Sequence, residues 1–130
     1  VTAAKLRVPY FSVVLRKGYG LGAMGMTAGS FHAPIFNVAW PTGEFGAMGL
    51  EGAVRLGFRK ELEALPEGAQ REELFEKLLA QQYAHGEAMH MAATLEIDAV
   101  IDPAETRAWL VRGLAGARLR EGEGRFVDTW

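Results

Sequence analysis

Glycine is concentrated in the first half of this chain, and that concentration restricts the fold more than any other feature of the sequence. Sixteen of the 130 residues are glycine, and they cluster between Gly18 and Gly57. Because glycine has no β-carbon, it permits tight turns and close backbone approaches that other residues resist. We therefore expect tight turns and closely packed backbone in this half.

Apolar runs between the glycines predict strands and short helices. Residues 8–15 are apolar and rich in β-branched and aromatic side chains, which is typical of a buried strand. A glycine-rich turn is predicted over 16–22, followed by a helix over 23–28. A second strand is predicted over 35–40, and a glycine-punctuated connection over 42–49.

The second half of the chain has clearer helical periodicity. Helical spacing of apolar residues predicts a helix over 50–65 and an amphipathic helix over 70–86. The second of these has one apolar face, formed by Leu74, Phe75, Leu78, Leu79 and Tyr83.

The last predicted elements are an extended segment over 97–101 and a helix that ends near Gly116. Asp102 can cap this helix, proline follows at its first position, and Glu105 can reach back to the cap. We assign residues 1–119 to part of one α/β domain and residues 120–130 to a C-terminal tail.

Charge and composition exclude several classes of function. Fourteen Lys and Arg against sixteen Asp and Glu give a net charge of -2, which argues against nucleic acid or anionic membrane as a partner. The absence of cysteine excludes disulfides, thiolate zinc sites and a cysteine nucleophile, and a reducing compartment is the simplest background. No apolar run approaches the roughly 18 residues that span a bilayer. We expect a soluble, cytoplasmic protein.

Residues 20–25 read G-L-G-A-M-G and match the pattern G-x-G-x-x-G of dinucleotide-binding turns. Four residues separate these glycines from the predicted strand. Ribose binding also requires an acidic residue at the end of the second strand, and this sequence has none there. A second interpretation is a nest of backbone N–H groups at a helix N-terminus, in which Leu21 and Gly22 donate to a developing oxyanion. A third is that the glycines only allow a strand and a helix to pack closely.

The histidines give little support for a metal site or a catalytic triad. His85, Glu87 and His90 have the spacing H-x-E-x-x-H, and residues five apart do not share a helical face as the zinc-binding pair of H-E-x-x-H does. His85 is interpreted as a helix-terminal or surface residue, and His32 as part of a loop. We expect no metal.

Three segments in the same order resemble the carboxyltransferase (beta) subunit of biotin-dependent acyl-CoA carboxylases. Residues 16–24 read R-K-G-Y-G-L-G-A-M and are similar to the family's R-K-A-Y-G-G-A-Y. Residues 39–44 read A-W-P-T-G-E and lead into M-G-L-E-G-A-V over 48–54. Residues 97–107 read I-D-A-V-I-D-P-A-E-T-R. The resemblance is to the C-terminal of the two related halves of that subunit.

This resemblance implies a crotonase-like α/β fold, present here as a partial C-terminal carboxyltransferase domain. It implies carboxyl transfer from carboxybiotin to the α-carbon of a short-chain acyl-CoA, with this half facing biotin. The implied partners are a biotin carboxyl carrier, a biotin carboxylase component, an N-terminal carboxyltransferase half and further copies of the same chain. Biotin and acyl-CoA are the implied cofactor and substrate.

Carried over by position, the family's oxyanion amides fall on Leu21 and Gly22, with Gly20, Ala23 and Met24 in the substrate-binding region. The chain has Leu21, Gly22 and Ala23 where the family commonly has Gly, Ala and Tyr. Backbone N–H groups survive such changes, although the shape of the pocket does not. Met24 stands where the family shapes its acyl pocket.

The resemblance lacks the N-terminal half and the opening elements of the C-terminal half, and the chain begins with Val1. We expect a fragment that is inactive alone. Three alternatives stay open: a biotin-dependent acyl-CoA decarboxylase subunit, a non-catalytic crotonase-like binding or scaffold module, and a dinucleotide-binding domain.

Overall fold

Short strands and one short helix form the first part of the chain, and helices dominate the rest. A computed structural model describes residues 8–118. In chain order the elements are β1 (Phe11–Val14), β2 (Lys17–Tyr19), α1 (Gly20–Met26), β3 (Phe36–Ala39), β4 (Glu44–Gly46), α2 (Leu50–Gly57), α3 (Arg59–Glu63), α4 (Ala69–His85), α5 (Ala88–Ala93), β5 (Ala99–Val100) and α6 (Thr106–Gly116). A 3-10 turn leads into α6.

β1, β3 and β5 form a parallel sheet with β3 in the middle, and Phe11 lies opposite Phe36 in its register. All four residues of β3 are buried, whereas those of β1 at the edge are half-buried. The strands predicted over 8–15 and 35–40 are confirmed, with shorter bounds, and β5 lies within the extended segment predicted over 97–101.

A second parallel sheet pairs β2 with β4, and the sequence prediction missed both strands. Residues 16–22 were predicted as a turn and residues 42–49 as an irregular connection. The prediction was wrong because each strand has only three residues, two of the six being glycine, and shows no alternation of apolar and polar side chains. Pairing between distant segments defines these strands.

Helix α1 begins and ends earlier than residues 23–28, where the sequence placed it. It starts at Gly20, whose φ of 57° turns the chain out of β2 directly into the helix. It ends at Met26, with Thr27 as its C-cap, and Ala28 beyond it takes a left-handed conformation with φ 59°. The early start places the first three residues of the glycine motif in the first turn of the helix.

The helix predicted over 50–65 is two helices, α2 and α3. They meet at Phe58, where φ is -111° and ψ is 26°, so the helical path breaks there. Both pack on α4, which confirms the helix predicted over 70–86. Four of the five residues predicted for its apolar face lie in the cluster between the helices, whereas the fifth, Tyr83, lies outside it and donates its hydroxyl to Glu51. The cluster between them consists of buried Val54, Leu62 and Phe75, with Phe58, Leu74, Leu78 and Leu79 packed around it.

The start of the last helix follows the sequence prediction closely. Asp102 accepts a hydrogen bond from the amide of Ala104 at 2.8 Å, and Glu105 accepts one from the amide of Asp102 at 3.3 Å. This reciprocal capping confirms the predicted helix start, and α6 ends at Gly116 as expected. The tail predicted over 120–130 lies outside the described residues.

The junction between α4 and α5 is bonded to β4. The amide of Phe45 donates to the carbonyl oxygen of Gly86 at 2.8 Å, and the amide of Ala88 donates to that of Gly43 at 3.0 Å. Since β4 pairs with β2, this junction also braces the strand that leads into α1. Across residues 8–118, none of the helices combines the length and apolar character that crossing a membrane requires.

Candidate active site

The first turn of α1 stands at the carboxyl end of the β2–β4 pair. The two strands are parallel, so their carboxyl ends lie together, and the chain enters α1 directly after Tyr19. The amides of Gly20, Leu21 and Gly22 belong to this turn, where a helix offers no acceptor for its N–H groups. No side chain caps them. The N-terminal end of a helix carries partial positive charge, which favours a negatively charged oxygen nearby.

The glycines of this turn have different structural reasons. A β-carbon on Gly20 would lie 2.7 Å from the carbonyl oxygen of Ala47, and its φ is positive, so the backbone requires glycine there. Gly22 has nothing within 4 Å of the position that a β-carbon would take. Close packing therefore explains Gly20, while within the described residues it does not explain Gly22, which borders open space.

Two cavities lie on either side of this turn. A cavity of about 560 Å³ is lined by Gly20, Leu21 and Met24 from α1, together with apolar side chains that include Phe45 and Leu50. A cavity of about 750 Å³ includes Gly22 in its lining. The structure thus brings three of the five predicted site residues to the first cavity and places Gly22 and Ala23 on the second.

His85 also lines the smaller cavity, where it is the one ionisable side chain among the lining residues that the structure describes. Its position as the last residue of α4 confirms the predicted helix-terminal place. No sequence pattern indicates that it faces the same cavity as Leu21. That relationship depends on how α4 docks against β4, which no local pattern encodes.

Tyr19 and Glu44 form a hydrogen bond at the base of the site. The Tyr19 hydroxyl donates to Glu44 Oε2 at 2.9 Å, and Arg16 Nε lies 3.9 Å from Glu44 Oε1. Burial and this hydrogen bond to Glu44 raise the pKa of Tyr19 far above its usual value. The hydroxyl therefore stays protonated at neutral pH and remains a donor to the carboxylate.

The histidines and acids set aside at the sequence level do not gather into a cation site. The rings of His85 and His90 lie 5.7 Å apart edge to face, and both residues are exposed. His32 lies in an exposed loop, 4.0 Å from Glu96. Among residues 8–118, no three His, Asp or Glu side chains are grouped closely enough to hold a metal ion.

The family model described as "Carboxyl transferase domain" matches residues 2–121. The chain belongs to the carboxyl transferase domain family. Family membership favours the carboxyltransferase interpretation of the glycine motif over the dinucleotide one. It also confirms the resemblance that the three sequence segments indicate.

The curated relatives of this carboxyl transferase domain include subunits whose names refer to CoA esters. This chain is 38% identical over 109 residues to the "Propionyl-CoA carboxylase, carboxyltransferase subunit" of Haloferax mediterranei, and the match covers 82% of this chain. It is 39% identical over 108 residues to the "Methylmalonyl-CoA carboxyltransferase 12S subunit" of Propionibacterium freudenreichii subsp. shermanii, also covering 82%. The chain spans 20% of the length of each relative.

Solved structures give the same fold. A single-chain, multi-domain long-chain acyl-CoA carboxylase is 55% identical with a TM-score of 0.71, over 85% of this chain and 10% of that one. The transcarboxylase 12S hexamer is 28% identical with a TM-score of 0.79, over 97% of this chain and 24% of that one. The predicted crotonase-like α/β fold of a carboxyltransferase, present in part, is confirmed.

Proposed function

We propose that this domain supports carboxyl transfer from carboxybiotin to the α-carbon of an acyl-CoA, as the biotin-facing part of a carboxyltransferase. The observation that carries the proposal is the first turn of α1, whose uncapped amides border cavities at the carboxyl ends of two parallel strands. Backbone N–H groups in such a turn can hold an anionic oxygen without any charged side chain.

The chemistry needs stabilisation of negative charge more than it needs a nucleophile. Carboxybiotin supplies the carboxyl group and, once that group has left, a ring nitrogen that can accept the α-proton of the acyl-CoA. The Leu21 and Gly22 amides of this chain are proposed to donate hydrogen bonds to the oxygen on which charge develops. The absence of a His or Glu nucleophile from the first turn of α1 agrees with this division of labour.

The neighbouring residues would shape the space around that oxygen. Gly20 allows the close turn that exposes the amides, and Met24 adds a flexible apolar wall to the smaller cavity. Ala23 contributes to the lining of the larger cavity. We assign Gly20, Ala23 and Met24 to substrate binding on these grounds.

A second candidate concerns the length of the acyl chain. The sequence resemblance implies a short chain, whereas the 55% identical structure is titled a long-chain acyl-CoA carboxylase. The smaller cavity has a volume of about 560 Å³ and mostly apolar walls, which also favours a longer chain. Rates with propionyl-CoA and with palmitoyl-CoA would separate the two.

The proposed partners follow from the small share of the relatives that this chain spans. It covers 20% of their length, and we propose that an acyl-CoA-binding N-terminal half supplies the rest of the site. A biotin carboxyl carrier and a biotin carboxylase component would deliver the carboxyl group. The transcarboxylase 12S structure is a hexamer, and we propose that this chain also assembles in several copies, in the cytoplasm.

The test removes one backbone donor while leaving the side chains alone. In this chain combined with an N-terminal carboxyltransferase half, Gly22→Pro deletes the N–H of residue 22, whereas Gly22→Ala keeps it. We expect the proline variant to transfer carboxyl from methylmalonyl-CoA to biotin on the order of 100-fold more slowly than the alanine variant. Equal rates in two folded variants would contradict the proposed role of this amide.

The 130-residue chain by itself should be inactive. Incubated with free biotin and methylmalonyl-CoA, it should form carboxybiotin no faster than a sample without protein. Turnover above that background would contradict the proposed need for an N-terminal half.

A further inference from the structure

Tyr19 and Glu44 join the strand that precedes α1 to the neighbouring strand. In the β2–β4 register Tyr19 lies opposite Gly46, and Lys17 lies opposite Glu44. Alternate residues of a strand share one face, so Tyr19 reaches diagonally across the pair to Glu44. The hydrogen bond between Tyr19 and Glu44, at 2.9 Å, therefore fixes the position of the last residue of β2 relative to β4.

Tyr19 is also the residue on which α1 begins. It is the N-cap of that helix, and the amides of Leu21 and Gly22 follow two and three residues later. Its side chain makes no capping hydrogen bond, and its hydroxyl donates to Glu44. Any shift of Tyr19 moves the first turn of α1 with it, since Gly20 follows directly and packs against the backbone of Ala47.

We infer that Tyr19 and Glu44 are positioning residues that hold the Leu21 and Gly22 amides in place for the developing oxyanion. The inference rests on the proposed function of those amides. Neither side chain is required to touch substrate in this role. Both residues are half-buried, and the raised pKa of Tyr19 keeps its hydroxyl protonated as the donor.

The chain contains a matched control. Tyr83 also donates its hydroxyl to a glutamate, Glu51, at 3.2 Å, and this pair joins α4 to α2. Tyr83 lies near Glu44, with which it lines a small cavity, so its variant separates the loss of the Tyr19–Glu44 hydrogen bond from the loss of any neighbouring hydroxyl. Tyr19→Phe and Tyr83→Phe each remove one hydroxyl from one carboxylate. A role in positioning predicts that only the first changes the amides of Leu21 and Gly22.

The first measurement needs no activity. Amide chemical shifts and hydrogen-exchange rates of Leu21 and Gly22 are compared by NMR in the 130-residue chain and its two Tyr→Phe variants. We expect both amides to change in Tyr19→Phe and to stay as in the parent chain in Tyr83→Phe. The same amide values in all three proteins would overturn the inference.

The second measurement is kinetic and uses this chain combined with an N-terminal carboxyltransferase half. Tyr19→Phe and Glu44→Ala should lower kcat for carboxyl transfer about 10-fold with KM for the CoA ester unchanged. Glu44→Gln, which keeps an acceptor oxygen, should recover most of that loss. A rise in KM with kcat unchanged, or no rescue by Gln, would overturn the positioning role. If the parent enzyme transfers no carboxyl group, the proposed function fails, and the amide measurement still decides whether Tyr19 holds the turn.

Discussion

Gly86 approaches Phe45 so closely that a β-carbon at residue 86 would lie 2.2 Å from the Phe45 carbonyl oxygen. The same two residues are joined by a hydrogen bond from the Phe45 amide to the Gly86 carbonyl oxygen. The contact brings the end of α4, with His85, against β4. Through β4 it also supports β2 and the first turn of α1.

Gly86→Ala should therefore destabilise the fold strongly. Its methyl group would collide with backbone rather than with a flexible side chain, so the α4–α5 junction would have to move. We expect the free energy of unfolding to fall by about 2 to 4 kcal/mol, measured by urea denaturation. Gly57→Ala serves as the control, because nothing lies within 4 Å of its added methyl group.

The elements that the sequence predicted well depend on local chemistry. The Asp102–Glu105 cap needs only four consecutive residues, and the apolar face of α4 needs only helical spacing. Strands β2 and β4 were missed because neither has a pattern of its own, and each exists through pairing with the other. The start of α1 was misplaced for a similar reason. Gly20 takes its positive φ where its backbone lies close to that of Ala47, a contact between residues that are distant in sequence.

The candidate site divides in the same way. Leu21 and Gly22 could be picked out because a glycine-rich motif before a helix leaves amides without acceptors. The cavity that His85 shares with Leu21, and the bond from Tyr19 to Glu44, join residues that are distant in sequence. Such contacts become visible only when the helices and strands have been docked.

Leu95 occupies a conformation that suits glycine. It has φ 62° at the end of α5, and its side chain is 79% exposed. The amide of Leu95 donates to the Ala92 carbonyl and that of Glu96 to the Met91 carbonyl, which is the hydrogen-bond pattern of a Schellman cap.

Leu95→Gly should accordingly stabilise the chain. It removes the strain of a left-handed leucine and loses little buried surface, so the free energy of unfolding should rise by about 1 kcal/mol. Leu56→Gly, at an exposed position inside α2, should lower it by about 1 kcal/mol. Thermal unfolding of both variants measures the contrast, and a lower stability for Leu95→Gly would contradict it.

Tyr19 and Tyr83 should resist ionisation at alkaline pH. Burial, and then the nearby Glu44, raise the pKa of Tyr19, while burial and Glu51 raise that of Tyr83. Because the folded-state pKa values lie above those of the unfolded chain, their contribution to stability is complete below about pH 10 and is lost as pH rises through the folded-state values. Tyrosinate absorbance during an alkaline titration should therefore rise later in the folded chain than in urea. The difference in pH between the two absorbance rises should be smaller in Tyr19→Phe. If the absorbance rises at the same pH with and without urea, the prediction is wrong.

The side chain of Asn37 gives the last prediction. It is fully buried in the middle strand of the larger sheet, and its Oδ1 and Nδ2 atoms have no hydrogen-bond partner among the described residues. Its backbone is well bonded, since its amide donates to Asp98 Oδ2 at 2.7 Å and its carbonyl accepts from the Asp98 amide at 2.9 Å. Burying an unpaired amide costs free energy that burying an apolar side chain of similar size does not.

Asn37→Leu should therefore raise the free energy of unfolding of the 130-residue chain by about 1 to 3 kcal/mol, measured in urea. Asn37→Asp keeps the shape but adds a charge, and it should be strongly destabilising at neutral pH. A lower free energy of unfolding for Asn37→Leu than for the parent chain would contradict this prediction.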